Sequence, residues 1–482
     1  MQFSIVLKTI GLLLMIFSLT QLPPILVDVI YNQQQYPFFL TALLITLGSG
    51  LVLWLPFRNF KKDFKIREGV LVVVSFWFIL SLFATIPFLL SDSLQMSFSD
   101  AFFESMSGLT TTGATTISGL DNLPKAILYY RQQLQWLGGM GIIVLALAIL
   151  PILGVKGMEL YHAESNGIAK DKLMPKLTQT AKVLWSIYIG FTVACALAYY
   201  LAGMSAFDAI GHSYSTVAIG GFSTHDASMG YFDSALIEFV AVIFMFFAGI
   251  NFSLHFIVWR KNHINHYYRD SEFKAYVAFL SFLIVLMSFY LFKISDYQNI
   301  TEAFRMSIFQ SVSMATTTGF ASTNFSIWPG ALPVLLIFAS FVGACAGSTS
   351  GGIKMVRVLL MFKLAAKEIK KFIHPNAQIN IKLNKHSVSE RTLVSVWGFF
   401  SLYVIAFVLI MSALMLTGLD QVTSFSATAA SINNLGPGLG EVASNYANIN
   451  DTAKWILSFA MLLGRLEILT LIALLHRSFW RF

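Results

Sequence analysis

Cysteine is almost missing from this chain. Cys195 and Cys345 are the two in 482 residues, both in apolar stretches and 150 positions apart, so the sequence offers neither a disulfide framework nor a metal cluster. Charge is scarce too: 12% of the residues are Asp, Glu, Lys or Arg against 56% hydrophobic, and the mean hydropathy is +0.70. A water-soluble protein of this length needs far more charge to cover its surface, so the composition points to a membrane protein. No His-Glu-x-x-His, no paired Asp inside an apolar run and no nucleophile with a base at useful spacing occurs, which argues against an enzyme. The formal charge of +8 comes without base-stacking aromatics interleaved in the basic stretches, so nucleic acid is not an expected partner.

What the chain does have is long uncharged runs. Phe38–Phe57, Gly69–Ser91, Gln132–Val155, Val183–Phe207, Ala275–Phe292 and Thr392–Leu419 carry no acidic or basic residue. Each is long enough to cross a hydrocarbon core, which takes about 20 helical residues. Lipid offers the backbone no hydrogen bonds, so these runs must be helices. Basic residues gather at 58–67, 156–182, 260–274 and 354–391, and the opposite connections have few. That asymmetry places the basic loops on the cytoplasmic side. Ten crossings satisfy both signals, near 3–29, 38–57, 69–91, 131–153, 183–203, 235–259, 275–293, 331–362, 394–417 and 454–476. An even number puts both termini in the cytoplasm. The first stretch lacks a small-x-small cleavage site and is read as a retained helix. The longest polar connection, 354–391, is too short for a soluble domain.

Shorter amphipathic segments fall between the crossings, and aligning them exposes an internal repeat. The first reads Asp100-Ala-Phe-Phe-Glu-Ser-Met-Ser-Gly-Leu-Thr-Thr-Thr-Gly113. The second runs from Asp208-Ala-Ile to Ala-Ile-Gly-Gly221-Phe at the same spacing. The third runs from Glu302-Ala-Phe to Ala-Thr-Thr-Thr-Gly319-Phe, with four extra residues, and the fourth from Thr423-Ser-Phe to Asn-Asn-Leu-Gly436-Pro. The glycines recur after 108, 98 and 117 residues, room each time for helix, short re-entrant helix, loop and helix. The expected fold is therefore an all-α polytopic membrane protein with four pseudo-symmetric units around one axis: 61–160, 161–262, 263–372 and 373–482. Residues 1–60 supply two further helices outside the repeat.

Four loops around an axis suit a partly dehydrated cation, whose water shell is replaced by rings of backbone carbonyls. Turning successive carbonyls toward one axis needs dihedrals that a Cβ disfavours, a reason for Gly113, Gly221, Gly319 and Gly436 at matched places. The short helices would direct their negative carboxyl ends at the ion. Asp100 and Asp208 are expected as their N-caps. One such glycine alone would sooner mark close helix packing; four in one repeat favour the filter.

The loops Thr-Thr-Thr-Gly-Ala, Ile-Gly-Gly-Phe-Ser-Thr, Thr-Thr-Gly-Phe and Asn-Asn-Leu-Gly-Pro-Gly-Leu-Gly resemble the filters of the Trk/Ktr/HKT superfamily of potassium transporters. Gln-Trp-Leu-Gly-Gly-Met-Gly at 135–141 and Gly-Arg-Leu-Glu-Ile at 464–468 extend the resemblance, which covers essentially the whole chain and is strongest to the TrkH-type membrane subunits. It implies potassium uptake across the bacterial inner membrane, with K⁺ as cargo and no bound organic cofactor. It also implies a homodimer with one pore per protomer, and a cytosolic nucleotide-binding regulatory subunit of TrkA type. On the matching motifs the filter comprises Thr111, Thr112 and Gly113; Ile219, Gly220 and Gly221; Thr317, Thr318 and Gly319; and Asn434, Leu435 and Gly436. The loops are not identical, since Ala218, Ile219 and Gly220 stand where the first has three threonines, and Leu435 and Pro437 flank the fourth glycine.

Two further features suggest a gate. Gly343-Ala-Cys-Ala-Gly-Ser-Thr-Ser-Gly-Gly-Ile-Lys354 would break a helix at membrane depth, which is tolerated where backbone lines a cavity or is buried in protein. The alternative is a close-packing glycine patch. The absence of bulky side chains predicts low local stability. It is not a phosphate loop, because Ile353 precedes Lys354 and no strand is expected before it. Arg465 stands in the middle of the last crossing, where a charge is costly. It is read either as half of a structural ion pair or as a barrier facing the axis and bound to the glycine loop. Glu467, two positions on, is expected to have a different partner. The candidate gate is Gly343, Gly347, Ser348, Thr349, Gly351, Gly352, Lys354 and Arg465. Glu104 and Asp226 are read either as groups that concentrate cations or as ordinary charges. The basic loops at 156–182 and 354–391 suit anionic membrane lipid or a cytosolic protein. A coupled K⁺/H⁺ or K⁺/Na⁺ symporter is the alternative to a simple conduit.

Overall fold

The structure, a computed structural model, describes residues 3–60, 66–148, 177–294, 299–384 and 386–480. Most of the basic stretch at 156–182, part of that at 58–67 and the end of the crossing at 131–153 lie outside the described residues. Among the described residues all the long elements are helices, and one small hairpin pairs Lys382 with Ser387 and Leu383 with His386.

The chain opens with helix Phe3–Ser18, which runs through a short 3-10 turn into Leu22–Tyr31, and helix Tyr36–Trp54 returns beside it. The turn between them is held by the Asp28 carboxylate, which accepts from the amides of Gln35 (2.9 Å) and Tyr36 (2.8 Å). At the far end Lys8 Nζ donates to the carbonyls of Arg58 and Phe60, both at 2.9 Å. Midway the two backbones touch: a Cβ on Gly11 would stand 2.7 Å from the Gly50 carbonyl, and one on Gly50 2.8 Å from that of Gly11. Small residues at such a crossing let dispersion forces between backbones hold the pair in lipid.

Four units follow, each with an outer helix, a short helix, a loop and an inner helix. Their outer helices are Ile66–Ala84, Leu177–Leu201, Ser271–Ile294 and Glu390–Leu416. The short helices are Phe98–Leu109, Ala206–Ala218, Ile300–Thr316 and Gln421–Ile432, the third being the longest at 17 residues. The inner helices begin at Lys125, Ala235, Leu332 and Asp451.

Two expectations need correction. Asp100 and Asp208 are not N-caps: Ser97 and Ser205 are, and each serine accepts from the amide of the aspartate three residues on while donating to its carboxylate, at 2.7 and 2.6 Å. This is half of a capping box: the serine takes the aspartate's amide, but the carboxylate bonds the serine hydroxyl rather than its backbone N–H. Nor are the crossings at 235–259, 331–362 and 454–476 straight. The first bends by 91° between Ala235–Ala248 and Phe252–Lys261, where Asn251 caps a new helix by accepting from Ser253 N at 2.8 Å. The last bends by 113° between Asp451–Arg465 and Ile468–Leu475, where Glu467 takes φ 60°. The eighth ends at Val342 and resumes as Met355–Ile373, so much of the expected cytoplasmic connection is helix. Among the described residues six helices are long and apolar enough to cross a membrane, or eight if each bent pair is one span.

The buried apolar residues form two large lobes. One joins the second and third units; the other joins the N-terminal helices to the first and fourth. The four short helices and their loops lie where the lobes meet. A bulky side chain at Gly11 would push the N-terminal pair apart, whereas Gly48 on the same helix as Gly50 faces open space. Gly11→Leu is expected to cost about 1–3 kcal/mol and lower the thermal unfolding midpoint in detergent, with Gly48→Leu close to wild type. Equal midpoints for the two variants would refute the close approach.

Candidate functional site

Each short helix ends in the same backbone figure. The residue after its last turn takes a left-handed conformation: Thr111 (φ 52°), Ile219 (55°), Thr317 (66°) and Asn434 (52°). The next amide then reaches back five residues, from Thr112 to Ser107 (2.9 Å), Gly220 to Ser215 (2.8 Å), Thr318 to Ser313 (2.8 Å) and Leu435 to Ala430 (2.7 Å). This closes the helix end in the manner of a Schellman motif. One residue later the chain again takes positive φ, at Gly113 (84°), Gly221 (81°), Gly319 (80°) and Gly436 (96°). A Cβ disfavours that geometry, and glycine accepts it.

The four glycines close a ring. A Cβ on Gly113 would fall under 3.0 Å from the Gly220 carbonyl, and one on Gly221 would do the same to Thr318. One on Gly319 would meet Leu435, and one on Gly436 would meet Thr112 at 2.7 Å. Each unit's glycine thus lies against the residue before the next unit's glycine, in chain order and back to the start. The structure brings all twelve predicted loop residues together at one axis, all buried or nearly so.

The loops are fastened differently. In the first and third, hydroxyls pair within the threonine triad, Thr110 with Thr112 and Thr316 with Thr318, each at 2.8 Å. In the fourth, Asn434 Nδ2 donates to Thr112 Oγ1 and to the Met461 carbonyl, both at 2.9 Å, and Tyr446 Oη donates to the Gly436 carbonyl at 2.8 Å. The second has no threonine, and Gln135 of the first inner helix holds it instead. Nothing in the repeat pointed to Gln135; the available signal was an amide inside an otherwise uncharged run.

Nine residues before the ring glycine, three units carry a polar side chain that ties the outgoing loop. Glu104 accepts from Thr116 N (2.9 Å), His212 Nε2 bonds Ser223 Oγ (2.9 Å), and Gln310 donates to the Thr323 carbonyl (3.2 Å). Glu104 is fully buried and ion-paired with Arg131 at 2.8 Å, so it is neither a surface charge nor a free cation-concentrating group. Arg131 also donates to the Ser223 carbonyl at 3.1 Å and covers the Phe222 ring, joining the first two loops. Asp226 is exposed and accepts from Gly119 N at 3.0 Å. Beside it His225, in the loop beyond the second ring glycine, bonds Asp121 of the first unit at 2.5 Å and pairs with Asp208 at 3.4 Å. Burial pulls the imidazole's pKa down, but the bonds and charges of Asp208 and Asp121 outweigh it and hold it above the ordinary histidine value.

Beneath the ring runs the glycine-rich segment. It is tied rather than loose, contrary to the expectation of low stability. Glu272 Oε1 accepts from Ala346 N (2.7 Å) and Val356 N (3.1 Å), fixing both ends with one buried carboxylate. Cys345 N bonds the Gly249 carbonyl and Phe252 N the Gly347 carbonyl, at 3.0 and 3.1 Å, docking the segment on the bend of the second inner helix. Thr349 Oγ1 donates to the Val217 carbonyl (3.0 Å) and Gly351 N to Thr317 Oγ1 (2.7 Å). A Cβ on Gly351 would collide with the Asn433 carbonyl. Gly343 and Gly352 pack on each other at the neck, Ser348 Oγ donates to the Cys345 carbonyl at 2.6 Å, and Lys354 Nζ returns to the Ser350 carbonyl.

Arg465 is 4% exposed and spans two units: Nη1 donates to Thr349 O at 3.0 Å and Nη2 to Gly138 O at 3.1 Å. Glu467 pairs instead with Arg357 at 2.9 Å, so the two charges do have separate partners. Through Val217, Thr317, Asn433 and Arg465 the segment is tied to the second, third and fourth units, and Arg465 carries the link on to Gly138 of the first.

The family model described as TrkH, a cation transport protein, matches residues 36–479. The chain is 52% identical over 482 residues to the Trk system potassium uptake protein TrkH of Halomonas elongata, and 50% identical over 482 residues to that of Escherichia coli, with full coverage of both chains each time. The crystal structure of the potassium transporter TrkH from Vibrio parahaemolyticus superposes with a TM-score of 0.93 at 49% identity, again over all of both chains.

The His225 bridge carries a pH signature. A folded-state pKa above the unfolded value of about 6.5 means that its contribution is complete below that pH and is lost as pH rises through the folded value. Wild-type protein should therefore lose thermal stability between near-neutral and mildly alkaline pH, and His225→Gln should flatten that part of the profile. Matching profiles would refute the bridge.

Proposed function

The chain belongs to the TrkH family of cation transport proteins, a family of transporters and not of enzymes, and from that premise we propose that it takes up potassium across the cytoplasmic membrane. The observation that carries this reading is the closed ring of four glycine-centred loops at the carboxyl ends of four short helices.

A potassium ion on the axis exchanges part of its water shell for backbone carbonyls of Thr111–Gly113, Ile219–Gly221, Thr317–Gly319 and Asn434–Gly436. The left-handed residue and the glycine of each loop set the turns that orient those peptide groups. Four helix carboxyl ends converge on the ion, each contributing roughly half a negative charge. The potential is therefore cation-attracting without a carboxylate in the path, which would bind the ion too firmly to release it.

The segment 343–352 is the gate in this reading, with Lys354 at its end and Arg465 as its latch. A guanidinium that donates to the Thr349 carbonyl both holds the segment and sets a positive charge against a passing cation. The latch is fastened on Gly138 and the segment on Glu272, so moving either helix transmits to the obstruction. The chain works as a homodimer in the inner membrane, its termini cytoplasmic. A TrkA-type nucleotide-binding subunit docks on the basic stretches, among which the helix Met355–Ile373 leads straight from the gate.

Three measurements test this. In proteoliposomes under a clamped voltage and proton gradient, current should reverse at the potassium equilibrium potential; a reversal that follows the proton or sodium gradient would indicate coupling. In the same assay Gly113→Ser should lower K⁺ over Na⁺ discrimination in folded protein, because its side chain presses on the Gly220 carbonyl. An unchanged ratio would remove that loop from the filter. For the gate, Arg465→Ala, or deletion within 345–351, should raise Rb⁺ uptake in the absence of the regulatory subunit and leave selectivity intact. Unchanged or lower uptake by folded protein would place the obstruction elsewhere.

A further inference from the structure

The second loop of the ring is the odd one. In the first and third loops the residue before the glycine is a threonine tied within its own triad, and in the fourth it is the buried Leu435. In the second it is Gly220, between two positive-φ residues, Ile219 and Gly221. Ala218 replaces the triad's first threonine, so this loop has no hydroxyl of its own with which to hold its peptide planes. Free rotation of a glycine pair costs more entropy to order than any other dipeptide.

Gln135, fully buried on the first inner helix, sits where those side chains would be. Its Nε2 donates to the Gly220 carbonyl at 2.6 Å and its Oε1 accepts from the Phe222 amide at 3.0 Å. The two bonds bracket Gly221 and fix the peptide plane on either side of it. The amide orientation follows from its partners, since only Nε2 can donate to a carbonyl and only Oε1 can accept from an N–H. A Cβ on Gly220 would overlap the Gln135 amide, with the nearest heavy atoms under 3.0 Å. The glycine and the glutamine thus replace together what a threonine does alone in the other units.

We infer that Gln135 is a positioning residue for ion selectivity: a glutamine contributed by the first unit sets the carbonyl geometry of the second unit's loop. This rests on the reading of the ring as the filter. Gln135 does not touch the ion. It acts through Gly220 and Phe222, and it determines how far the second quarter of the ring can draw inward around a smaller cation.

The test uses full-length protein in proteoliposomes and measures the K⁺/Na⁺ permeability ratio from reversal potentials, with Gly113→Ser as reference. Gln135→Leu removes both bonds at similar volume. Gln135→Glu keeps the acceptor for Phe222 N and removes the donor to Gly220. Both should lower the ratio about fivefold, the scale of one net hydrogen bond, while folded yield and K⁺ current are retained. Lowering the pH should restore selectivity to Gln135→Glu, whose protonated carboxyl again donates, and should leave Gln135→Leu unchanged; a merely structural residue would give no such rescue. A wild-type ratio in folded Gln135→Leu overturns the inference, as does failure of both variants to fold. If Gly113→Ser lowers the ratio and Gln135→Leu does not, this inference alone falls. If neither changes it, the filter reading falls too.

Discussion

Backbone-to-backbone contact at the axis governs the rest of this molecule. Four glycines lie against four carbonyls with no room for a Cβ, and each contact is between neighbouring units. The short helices must therefore end at one level, and the left-handed turn that closes each of them is part of the same requirement. Everything farther out has the task of holding four helix ends in register. The serine caps at Ser97 and Ser205 fix two of the opposite ends, and the Glu104–Arg131 pair locks one loop to the next. Such a buried pair adds little net stability over an apolar alternative, yet losing one partner is costly, so its value lies in specifying geometry.

The repeat is a shared frame with unlike fastenings. Threonine pairs, an asparagine, a tyrosine hydroxyl and a glutamine borrowed from another unit all meet the same need. The inner helices diverge further. The first runs unbroken over Lys125–Ala148, the second bends, the third opens into the glycine segment, and the fourth turns sharply at Glu467. These breaks are complementary: the second's bend supplies the Gly249 carbonyl that docks the third's segment, and the fourth's turn frees Glu467 to hold Arg357 at the segment's far side.

The frame was legible in the sequence because glycine at a positive-φ position cannot be disguised. Four matched glycines gave the units, their order and the ring, and the cluster 343–352 announced a break at membrane depth. Arg465 and Glu467 were legible from the cost of charge in lipid. The fastenings were not. Gln135 and Arg131 have partners in other units, and no local pattern says where a buried amide or guanidinium will find its carbonyl. The caps were misread by three residues because Ser-x-x-Asp places two capping groups in reciprocal contact, and the acidic one drew attention. The glycine segment was expected to be weakly held because side-chain volume is what a sequence displays, whereas its hold comes from backbone amides meeting Glu272, Thr317 and Gly249.

The ring also has a genetic consequence. A channel assembled from four identical chains exposes every filter position in quadruplicate, so one codon change alters the whole circumference. Here the circumference is written four times along a single reading frame, and a point mutation alters a quarter of it. A change at one loop is then graded rather than absolute, and a loop without hydroxyls can be held from a neighbouring unit, as Gln135 holds Gly220 and Phe222. Units joined in one polypeptide can differ from one another, and the four inner helices here do.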